Sequence, residues 1–428
     1  MTYEGVSSVD ILDDLAFRGY IYQMTDEDAL RKRLAQGPVT LYCGFDPTAD
    51  SLHVGSLVPM MGLRRFQDAG HIPIALVGGG TGLIGDPSGK KEERTLNTDE
   101  TVKAFTESQR KQLEKYLNFK AEANPARMVS NYTWLSELSA IELLRDVGKH
   151  FSMGYMLAKE SVSSRLETGI SFTEFSYMVL QAYDFAELNR QYGCELQIGG
   201  SDQWGNITAG IELVRRSLEK TVYGLTFPLL AKSDGTKFGK TESGTIWLDP
   251  AKTSPYQFYQ FWVNTDDVDV VRFLKLFTFL DHGKINELEK EVAENPGQRT
   301  AQRVLAEEVT AFIHGEVAKD RAVHVSEALF YGKLDDLSGD EIEDGFSDVP
   351  SHVLNGVLEV GLLDLLVEAK ISSSKRQARE DIQMGAIYIN GDRCEEMDRV
   401  LKPADGLAGK YLVMRRGKRK YTLVKWSM

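Results

Sequence analysis

The sequence predicts an α/β fold with a mostly parallel sheet, followed by an α-helical region and a small α+β module at the C-terminal end. Helical patterns separate short apolar runs in the first half of the chain, which is typical of a parallel sheet covered by helices on both faces. After about residue 249 the patterns become helical, and after residue 361 a hairpin signal appears. The predicted strands are residues 39–43, 72–77, 128–130 and 196–198.

The first apolar run leads into the most informative segment of the chain. Residues 44–55 read Gly-Phe-Asp-Pro-Thr-Ala-Asp-Ser-Leu-His-Val-Gly. The turn and capping residues in it predict that a helix begins near His53. A helix N-terminus offers unpaired N–H groups and partial positive charge to a triphosphate, and Gly55 leaves space for a ribose or purine. A capped helix with one polar histidine explains the same spacing equally well.

A glycine-rich segment, residues 78–90, follows the second apolar run. Residues 85–90 resemble a phosphate loop but are one residue short and lack Ser or Thr after the lysine. The glycines of residues 80–85 match a dinucleotide motif, but Asp86-Pro87 follows where that motif needs a helix. We therefore reject both motifs. The glycines are expected to let the backbone close around a ligand, with Asp86 facing a substrate ammonium group.

The next polar pattern lies on a predicted helix. Residues 171–174, Ser-Phe-Thr-Glu, form a capping-box pattern that opens a helix reaching about residue 189. On this helix Tyr177, Gln181 and Asp184 recur at i, i+4 and i+7 and form one polar stripe. Such stripes usually face water, but this combination of phenol, amide and carboxylate fits the capture of an amino acid.

Two further polar segments complete the candidate site. Residues 199–204, Gly-Gly-Ser-Asp-Gln-Trp, directly follow the last predicted strand, and ligands of parallel sheets gather at the carboxyl ends of strands. Residues 232–241 read Lys-Ser-Asp-Gly-Thr-Lys-Phe-Gly-Lys-Thr. Three lysines and two glycines are typical of a mobile loop that meets phosphate, although an ordinary basic surface loop has the same composition.

These segments resemble the two signatures of the class I aminoacyl-tRNA synthetases, and the surrounding sequence is similar to the bacterial enzymes specific for tyrosine. The first signature is usually His-Ile-Gly-His, whereas residues 53–56 read His-Val-Gly-Ser. The second is usually Lys-Met-Ser-Lys-Ser, whereas residues 237–241 read Lys-Phe-Gly-Lys-Thr, with both lysines at their usual spacing. Ser56 offers a hydroxyl in place of the second histidine and cannot become cationic.

The resemblance implies an ATP-dependent enzyme. It would activate L-tyrosine to tyrosyl-adenylate with release of pyrophosphate, and then transfer the tyrosyl group to the terminal adenosine of tRNA(Tyr). Mg²⁺ is expected to arrive with ATP, and no structural metal is expected. The family is homodimeric and cytoplasmic. Two other classes stay open, namely a related nucleotidyl transferase and a synthetase-derived RNA-binding protein without catalysis.

The resemblance also assigns roles to individual residues. Catalysis is expected at His53, Lys237, Lys240 and Thr241. Tyrosine binding is expected at Tyr42, Asp86, Tyr177, Gln181, Asp184 and Gln203. ATP binding is expected at Cys43, Gly44, Asp46, His53, Gly55, Ser56, Gly200, Asp202 and Lys240. Pyrophosphate is expected at Lys90 and Arg94.

One pair of these residues favours tyrosine as the amino acid. The family assigns Tyr42 and Asp184 to the hydroxyl of the substrate, and both would be left unpaired if phenylalanine entered. A tryptophan-specific relative should lack the pair. Cys43, expected near the sugar, fits the core of the sheet equally well.

The charge of the chain is unevenly distributed. The formal net charge is −13, which argues against a generic nucleic-acid binder, but residues 361–428 contain 14 Lys and Arg against 9 Asp and Glu. This segment resembles a small ribosomal-type RNA-binding module, and RNA binding is favoured over a merely solvated surface. The residues expected to contact RNA are Lys375, Arg376, Arg379, Arg415, Arg416 and Lys418.

The cysteines and the hydropathy of the chain indicate the cellular compartment in which it is expected to work. Cys43, Cys194 and Cys394 are isolated and have neither paired nor metal-type spacing, which indicates a reducing cytosol and no structural zinc. The N-terminal residues lack an apolar signal core, and no apolar run approaches 18 residues. The chain is therefore expected to be neither secreted nor membrane-spanning.

The predicted domains follow from these patterns and from the resemblance. Residues 1–248 are expected to form a Rossmann-like catalytic domain with an inserted dimerisation or connective region at about 120–180. Residues 249–344 are expected to form a helical anticodon-binding domain. Residues 331–350 are strongly acidic and are predicted to be a linker or a solvated surface segment, and the linker itself is placed at residues 345–358. Residues 359–428 are expected to form the ribosomal-type (S4-like) module.

Overall fold

The fold is described from a computed structural model of the 428-residue chain. The described residues are 10–89, 96–167, 169–233, 235, 238–241, 244–331, 334–347, 349–417 and 420–427. The chain divides into two compact units, each considered separately below. The first comprises Met1–Lys252 and Thr265–Ala301, and the second comprises Thr253–Asn264 and Gln302–Met428.

The described strands fall into two larger sheets and two short ribbons. In the first unit they are β1 (Gln23–Met24), β2 (Thr40–Phe45), β3 (Ile72–Val77), β4 (Arg127–Ser130), β5 (Cys194–Gly200), β6 (Tyr223–Phe227), β7 (Lys240–Thr241) and β8 (Gly244–Thr245). In the second unit they are β9 (Ser351–Asn355), β10 (Val360–Gly361), β11 (Ile387–Ile389), β12 (Asp392–Arg393), β13 (Val400–Leu401), β14 (Tyr411–Arg416) and β15 (Lys420–Ser427).

The described α-helices are short to medium in length, and the longest, α9, has 21 residues. They are α1 (Ile11–Arg18), α2 (Glu27–Ala35), α3 (Leu57–Asp68), α4 (Asp99–Leu113), α5 (Tyr132–Leu135), α6 (Ala140–Glu142), α7 (Met153–Leu157), α8 (Glu160–Ser163), α9 (Phe172–Tyr192), α10 (Trp204–Leu218), α11 (Pro255–Val263), α12 (Asp267–Phe277), α13 (His282–Glu294), α14 (Thr300–His314), α15 (Glu316–Tyr331), α16 (Gly339–Gly345), α17 (Leu362–Glu368) and α18 (Lys375–Gln383). Within the described residues, no helix has the length and apolar character needed to cross a bilayer.

The first unit is built on a six-stranded sheet in the order β1-β6-β5-β2-β3-β4. All neighbouring pairs are parallel except β1 with β6, which confirms the predicted mostly parallel α/β fold. Strand β2 lies between β3 and β5, so the strands that follow it in sequence are added first on one side of β2 and then on the other. Crevices at such points are where parallel sheets bind ligands.

Helix α9 carries the polar stripe across this sheet. Its N-cap is Ser171, whose hydroxyl accepts a hydrogen bond from the backbone N–H of Glu174, as the capping pattern predicts. The carboxylate of Glu174 instead pairs with Arg165 at 2.7 Å, and both side chains are buried. The apolar face of α9 packs with Tyr42 and Ile74 of the sheet. One face of α9 therefore enters the core while the polar stripe is held over the strand ends.

The second unit ends in a five-stranded sheet in the order β12-β11-β14-β15-β9, packed on α17 and α18. The predicted hairpin is confirmed, because Asn390 and Gly391, both with positive φ, connect the antiparallel strands β11 and β12. Gly385, with φ of 65°, follows the end of α18 as predicted.

The predicted linker is wrong in this unit. Residues 351–355 form β9, which pairs in parallel with β15. The acidic stretch before it is also structured, since α16 lies within it and four apolar side chains spaced along it are buried, namely Leu334, Leu337, Ile342 and Phe346. The high density of carboxylates concealed this apolar face, because the acidic residues occupy only the positions between the buried ones.

Candidate active site

A cleft in the first unit opens at the carboxyl ends of β2 and β5. Its cavity volume is about 250 Å³. The sequence-predicted residues that line it are Tyr42, Cys43, Gly44, Asp46, Asp86, Tyr177, Gln181, Asp184, Gly200 and Gln203. Other lining residues are Thr48, Pro59, Leu76, Gly78, Thr81, Asn131, Gln197, Ile198 and Gly199. The structure thus brings the predicted tyrosine-binding residues together in one cavity.

Asp184 is a buried carboxylate in this cleft, only 1% exposed. Its Oδ1 accepts a 2.7 Å hydrogen bond from the indole N–H of Trp134, and its Oδ2 accepts one of 2.9 Å from the amide of Asn131. Burial raises the pKa of Asp184 to about 7, although these two hydrogen bonds favour the ionised form. The carboxylate is therefore fixed in orientation and close to its titration point at neutral pH.

Tyr42 brings a second buried oxygen to the same cleft. Its side chain is 1% exposed and packs edge-on against Phe185. The Tyr42 hydroxyl has no hydrogen-bond partner among the described residues. Burial, together with the nearby charge of Asp184, raises the pKa of Tyr42 well above its ordinary value, so the hydroxyl stays neutral. An unpaired buried hydroxyl beside a carboxylate is suited to a ligand that carries a hydroxyl of its own.

Asp46 is a second carboxylate in the lining of the cleft. Its Oδ2 accepts a 2.7 Å hydrogen bond from the hydroxyl of Tyr177, and its Oδ1 accepts one of 2.8 Å from Thr81. Asn131 in turn donates to the Thr81 hydroxyl at 2.9 Å. Because Asn131 also donates to Asp184, a continuous polar network joins the two carboxylates. Asp46, which is predicted to bind ATP, is thus also hydrogen-bonded to Tyr177, a predicted tyrosine-binding residue.

A second network surrounds Gln203. Its Nε2 donates to Asp86 Oδ2 at 2.7 Å and to Asp202 Oδ2 at 3.3 Å. The other oxygen of Asp86 accepts a 2.8 Å bond from the backbone N–H of Ser88. Asp86 is 8% exposed and is one of the acidic residues that line the cleft.

The first signature begins a helix as predicted. His53 precedes a short 3₁₀ turn at Val54–Ser56, which continues into α3, and its Nδ1 accepts a 3.0 Å hydrogen bond from the backbone N–H of Gly55. A Cβ at Gly55 would lie 2.7 Å from the imidazole, so glycine is needed for this arrangement. The imidazole is exposed, and neither His53, Gly55 nor Ser56 lines the cavity itself.

The described part of the second signature lies against the first. Gly239 has φ of 78°, and a Cβ there would lie 2.4 Å from Cγ2 of Val54. The backbone of Ile246 hydrogen-bonds to both segments, since its N–H donates to Gly239 and its carbonyl accepts from Val54, each at 3.0 Å. Phe238 is buried and stacks on Phe277 with ring centroids 5.3 Å apart. The two signatures, about 185 residues apart in sequence, are thus neighbours in the fold.

Several predicted residues fall outside what the structure describes. Lys90, Arg94, Lys237 and Lys418 lie outside the described residues. Lys240 and Thr241 are described only as the backbone of β7.

Cys43 lines the cleft as a buried residue. Its thiol is buried, and burial, with a smaller effect of the Asp202 charge, raises its pKa to about 12. The thiol is therefore protonated and unreactive at neutral pH. All three cysteines are buried and free of disulfides. Among the described residues, no group of three or more His, Cys, Asp and Glu side chains is arranged to hold a metal ion.

The candidate RNA-binding residues lie in the second unit. Lys375, Arg376 and Arg379 are exposed on one helix, α18. Arg415 stacks on the ring of Tyr388, 3.8 Å from its centroid. Arg416 differs, because all three of its guanidinium nitrogens donate within the module, to Asp381 and to the Ile371 carbonyl. This engagement gives Arg416 a structural role, and its predicted contact with RNA stays a prediction.

Three residues that orient predicted side chains were missed by the sequence analysis. Asn131 directly follows β4, so the rule that placed Asp86 and Gln203 at strand ends applies to it as well. Thr81 lies in the glycine-rich segment already singled out. Trp134 follows no such pattern, because only tertiary packing brings its indole to Asp184.

Two family models match the chain. The model of the class I tRNA synthetases (W and Y) matches residues 34–331, and that of the tyrosine–tRNA ligase SYY-like C-terminal domain matches residues 341–424. Together the two models therefore cover the residues that line the cleft and most of the second unit.

Individual proteins agree with these models. The chain is 61% identical over 420 residues to the tyrosine–tRNA ligase of Geobacillus kaustophilus, covering 98% of this chain and 100% of that protein. It is 60% identical over 417 residues to tyrosine–tRNA ligase 1 of Bacillus cereus, covering 97% and 100% respectively. A C-terminally truncated mitochondrial tyrosyl-tRNA synthetase of Aspergillus nidulans is similar in structure, with a TM-score of 0.69, 33% identity and coverage of 76% of this chain and 96% of that one.

Proposed function

Because the chain belongs to the class I tRNA synthetases for tryptophan and tyrosine, we infer that it is a tyrosine–tRNA ligase. The carboxylate of L-tyrosine attacks the α-phosphorus of ATP, the bond to the pyrophosphate leaving group breaks, and tyrosyl-adenylate forms. The tyrosyl group then passes to the 3′-terminal adenosine of tRNA(Tyr), and AMP is released.

The presence of both Asp184 and Tyr42 in the lining of one cleft is the observation that supports the choice of tyrosine. Asp184 is held by two donors and retains lone pairs, and the buried Tyr42 hydroxyl has no partner among the described residues. A phenolic hydroxyl can donate to the carboxylate and accept from Tyr42. Phenylalanine would satisfy neither group, and tryptophan, whose indole N–H can donate to Asp184, has no oxygen to accept from Tyr42. The geometry therefore supports tyrosine over both competitors.

The amino group of tyrosine is bound on the other side of the cleft. Asp86 provides the negative charge, and Tyr177 and Gln181 provide neutral oxygens. Since the Tyr177 proton is donated to Asp46, the lone pairs of its hydroxyl are free to accept from an ammonium group. Asp46 adds a second carboxylate near the same position. These groups orient the substrate without reacting with it.

Activation requires no covalent nucleophile from the protein, because the substrate carboxylate is already charged. The work of the site is positioning and stabilisation of charge on the transferring phosphate. We assign this work to His53, the helix start behind it, Lys237, Lys240 and Thr241. ATP arrives as its Mg²⁺ complex and occupies the strand ends near Cys43, Gly44, Gly200 and Asp202, with Ser56 nearby. Lys90 and Arg94 are assigned to the pyrophosphate.

The proposal extends to partners of the whole chain. The exposed basic face formed by Lys375, Arg376 and Arg379, with Arg415, suits the phosphates of tRNA. A homodimer is proposed because the predicted inserted region exposes a set of large apolar side chains to solvent. They are Ile141 at 68%, Leu144 at 62%, Met153 at 59% and Phe172 at 76% exposed. A cytoplasmic location, where tRNA is charged, is part of the same proposal.

ATP–pyrophosphate exchange tests the function directly. Each amino acid is supplied separately at saturating ATP and Mg²⁺, and the incorporation of labelled pyrophosphate into ATP is followed. Exchange with tyrosine alone is the expected result. If none of the amino acids supported exchange, the proposal would be overturned and an RNA-binding protein without catalysis would be favoured. Exchange with another amino acid would overturn the assignment of Asp184 and Tyr42.

A further inference from the structure

Asn206 is a buried polar residue that contributes no atom to the lining of the cleft. It lies in the first turn of α10 and is 3% exposed. Its Nδ2 donates to Gln203 Oε1 at 3.2 Å and to Ser88 Oγ at 3.3 Å. One amide group thus connects the two loops that carry Asp86 and Gln203.

These contacts fix which way the Gln203 amide faces. Asn206 is a donor at Nδ2, so it holds the carbonyl oxygen of Gln203 and leaves Nε2 on the opposite side. There Nε2 donates to Asp86 at 2.7 Å. A rotated amide would place its oxygen against the Asp86 carboxylate and its NH₂ group against a donor, and both contacts would be repulsive. The orientation is therefore determined from both ends.

The stem of Gln203 is confined as well. A Cβ at Gly199 would lie 3.3 Å from Gln203 Cβ and 3.4 Å from its Cγ, so the stem packs closely on the bare backbone of β5. The hydroxyl of Ser88, 6% exposed, accepts from Asn206 and so connects the loop after Asp86 to the Asn206 amide. The position of the stem, the direction of the amide and the position of the Asp86 loop are all set by neighbouring contacts.

Gln203 has one N–H group for the substrate in this orientation. One hydrogen of Nε2 is held by Asp86 at 2.7 Å, whereas the contact of the other with Asp202 is long, at 3.3 Å. A carboxylate in the cleft can accept a hydrogen bond from this second N–H, because Gln203 lines the cavity. The group that faces the attacking carboxylate is then a donor, and Asn206 is one of the two contacts that keep it in this orientation.

We propose that Asn206 is a positioning residue for tyrosine activation, and that it acts by orienting Gln203 toward the reacting carboxylate. It touches no substrate. The inference rests on the proposed tyrosine-activating function. It predicts that Asn206 affects the rate of adenylate formation through Gln203 and has little effect of its own.

The test begins with Asn206→Asp, which keeps the size of the side chain but replaces the donor by an acceptor. The first-order rate of tyrosyl-adenylate formation is expected to fall by about tenfold to hundredfold, because small misplacements of a reacting group have effects of this size. The matched control is Asn189→Asp, which removes a donor to the Cys194 carbonyl outside the cleft. It should leave the rate within about threefold of the unchanged protein.

A double-mutant cycle separates positioning from a general structural effect. In a Gln203→Ala background, Asn206→Asp should cause no further fall in the single-turnover rate. The proposal would be overturned if the reductions in rate caused by Asn206→Asp and Gln203→Ala multiplied in the double variant. It would also be overturned if Asn189→Asp lowered the rate as much as Asn206→Asp. If the aspartate variant does not fold, as judged by thermal unfolding, Asn206→Ala carries the same cycle without the added charge. Exchange by the unchanged protein tests the function separately, so the two failures are distinguishable.

Discussion

The hydroxyl of Tyr177 donates a 2.7 Å hydrogen bond to Asp46, and this contact joins the polar stripe of α9 to the end of β2. The two residues are 131 positions apart in sequence. Burial, followed by the charge of Asp46, raises the pKa of Tyr177 well above its ordinary value. Tyr177 therefore remains a neutral donor to Asp46 and presents only lone pairs to a ligand.

Removal of this hydroxyl should weaken the binding of tyrosine. In Tyr177→Phe an acceptor for the substrate ammonium is lost and Asp46 loses a donor, and hydrogen bonds to charged groups contribute about 1.5–3 kcal/mol. The dissociation constant for tyrosine, measured by fluorescence titration, is expected to rise by about tenfold or more. Thr81→Val removes a different donor to Asp46 and should have a smaller effect. Equal effects of the two variants would contradict a direct contact of Tyr177 with the substrate.

Tyr42→Phe should separate stability from affinity. The hydroxyl has no partner among the described residues, so its removal should leave the thermal midpoint unchanged or higher. Tyrosine should nevertheless bind about twofold to tenfold more weakly, since one hydrogen bond is lost. Tyr20→Phe is the matched control, because the Tyr20 hydroxyl donates to the Leu276 carbonyl at 2.6 Å. It should lower the midpoint without changing the affinity.

The binding of tyrosine should depend on pH through Asp184. Because burial raises the pKa of Asp184 to about 7, the carboxyl is largely protonated at pH 6 and ionised at pH 8. A phenol donates to the ionised form, so affinity should rise with pH through about 7 and then level off. Titrations from pH 6 to 8.5 measure the effect, and Asp184→Asn should abolish the trend. A flat profile in the unchanged protein would refute the ionised form as the binding species.

The contact between the signatures predicts different effects of two glycine substitutions. Gly239 and Gly235 have φ of 78° and 81°, so alanine causes similar backbone strain at both. A Cβ at Gly239 would collide with Val54 at 2.4 Å, whereas no atom of the described residues lies within 4 Å of a Cβ at Gly235. Gly239→Ala should therefore lower the rate of pyrophosphate exchange by about tenfold more than Gly235→Ala. Equal rates in the two variants would show that the contact with Val54 does not affect catalysis.

His71 should make the fold sensitive to acid. Its Nδ1 accepts a 3.2 Å hydrogen bond from the Val39 N–H, and burial lowers its pKa to about 4. The unfolded chain binds this proton near pH 6.5, before the folded protein does, so stability falls as pH drops from 6.5 to about 4. The loss attributable to His71 is about 2–3 kcal/mol. Denaturant unfolding of His71→Asn, which keeps an acceptor, should show a shallower decline, and an unchanged decline would contradict this assignment.

Some strands can be located from the sequence and others cannot. Strands β2 to β5 are predictable because each is an apolar run bounded by turn residues. Strand β6 was missed because Gly224 interrupts its pattern, and β1 has only two residues. Strand β9 was missed because only Leu354 within it is buried, so it carries no clear alternation. Pairing with a strand distant in sequence, and not local propensity, determines these elements.

The same distinction applies to the site. Asp86 and Gln203 are predictable because they follow strands, and Tyr177 and Asp184 because they share one face of a helix. Asn206 and Trp134 are not predictable in this way, since each acts on another side chain and not on a ligand. Their positions follow from packing between segments distant in sequence, which no local pattern records.

The position of β9 has a consequence for dividing the chain into fragments. A fragment that starts at the predicted boundary, residue 359, would leave one edge of β15 bare, with its backbone donors and acceptors open to a second molecule. Strand β15 carries the apolar residues Leu423, Val424 and Trp426, so this edge would favour self-association. A fragment that begins before Ser351 keeps a mostly polar, exposed strand as its border. The segment needed for autonomous solubility is therefore longer than the segment that resembles an RNA-binding module.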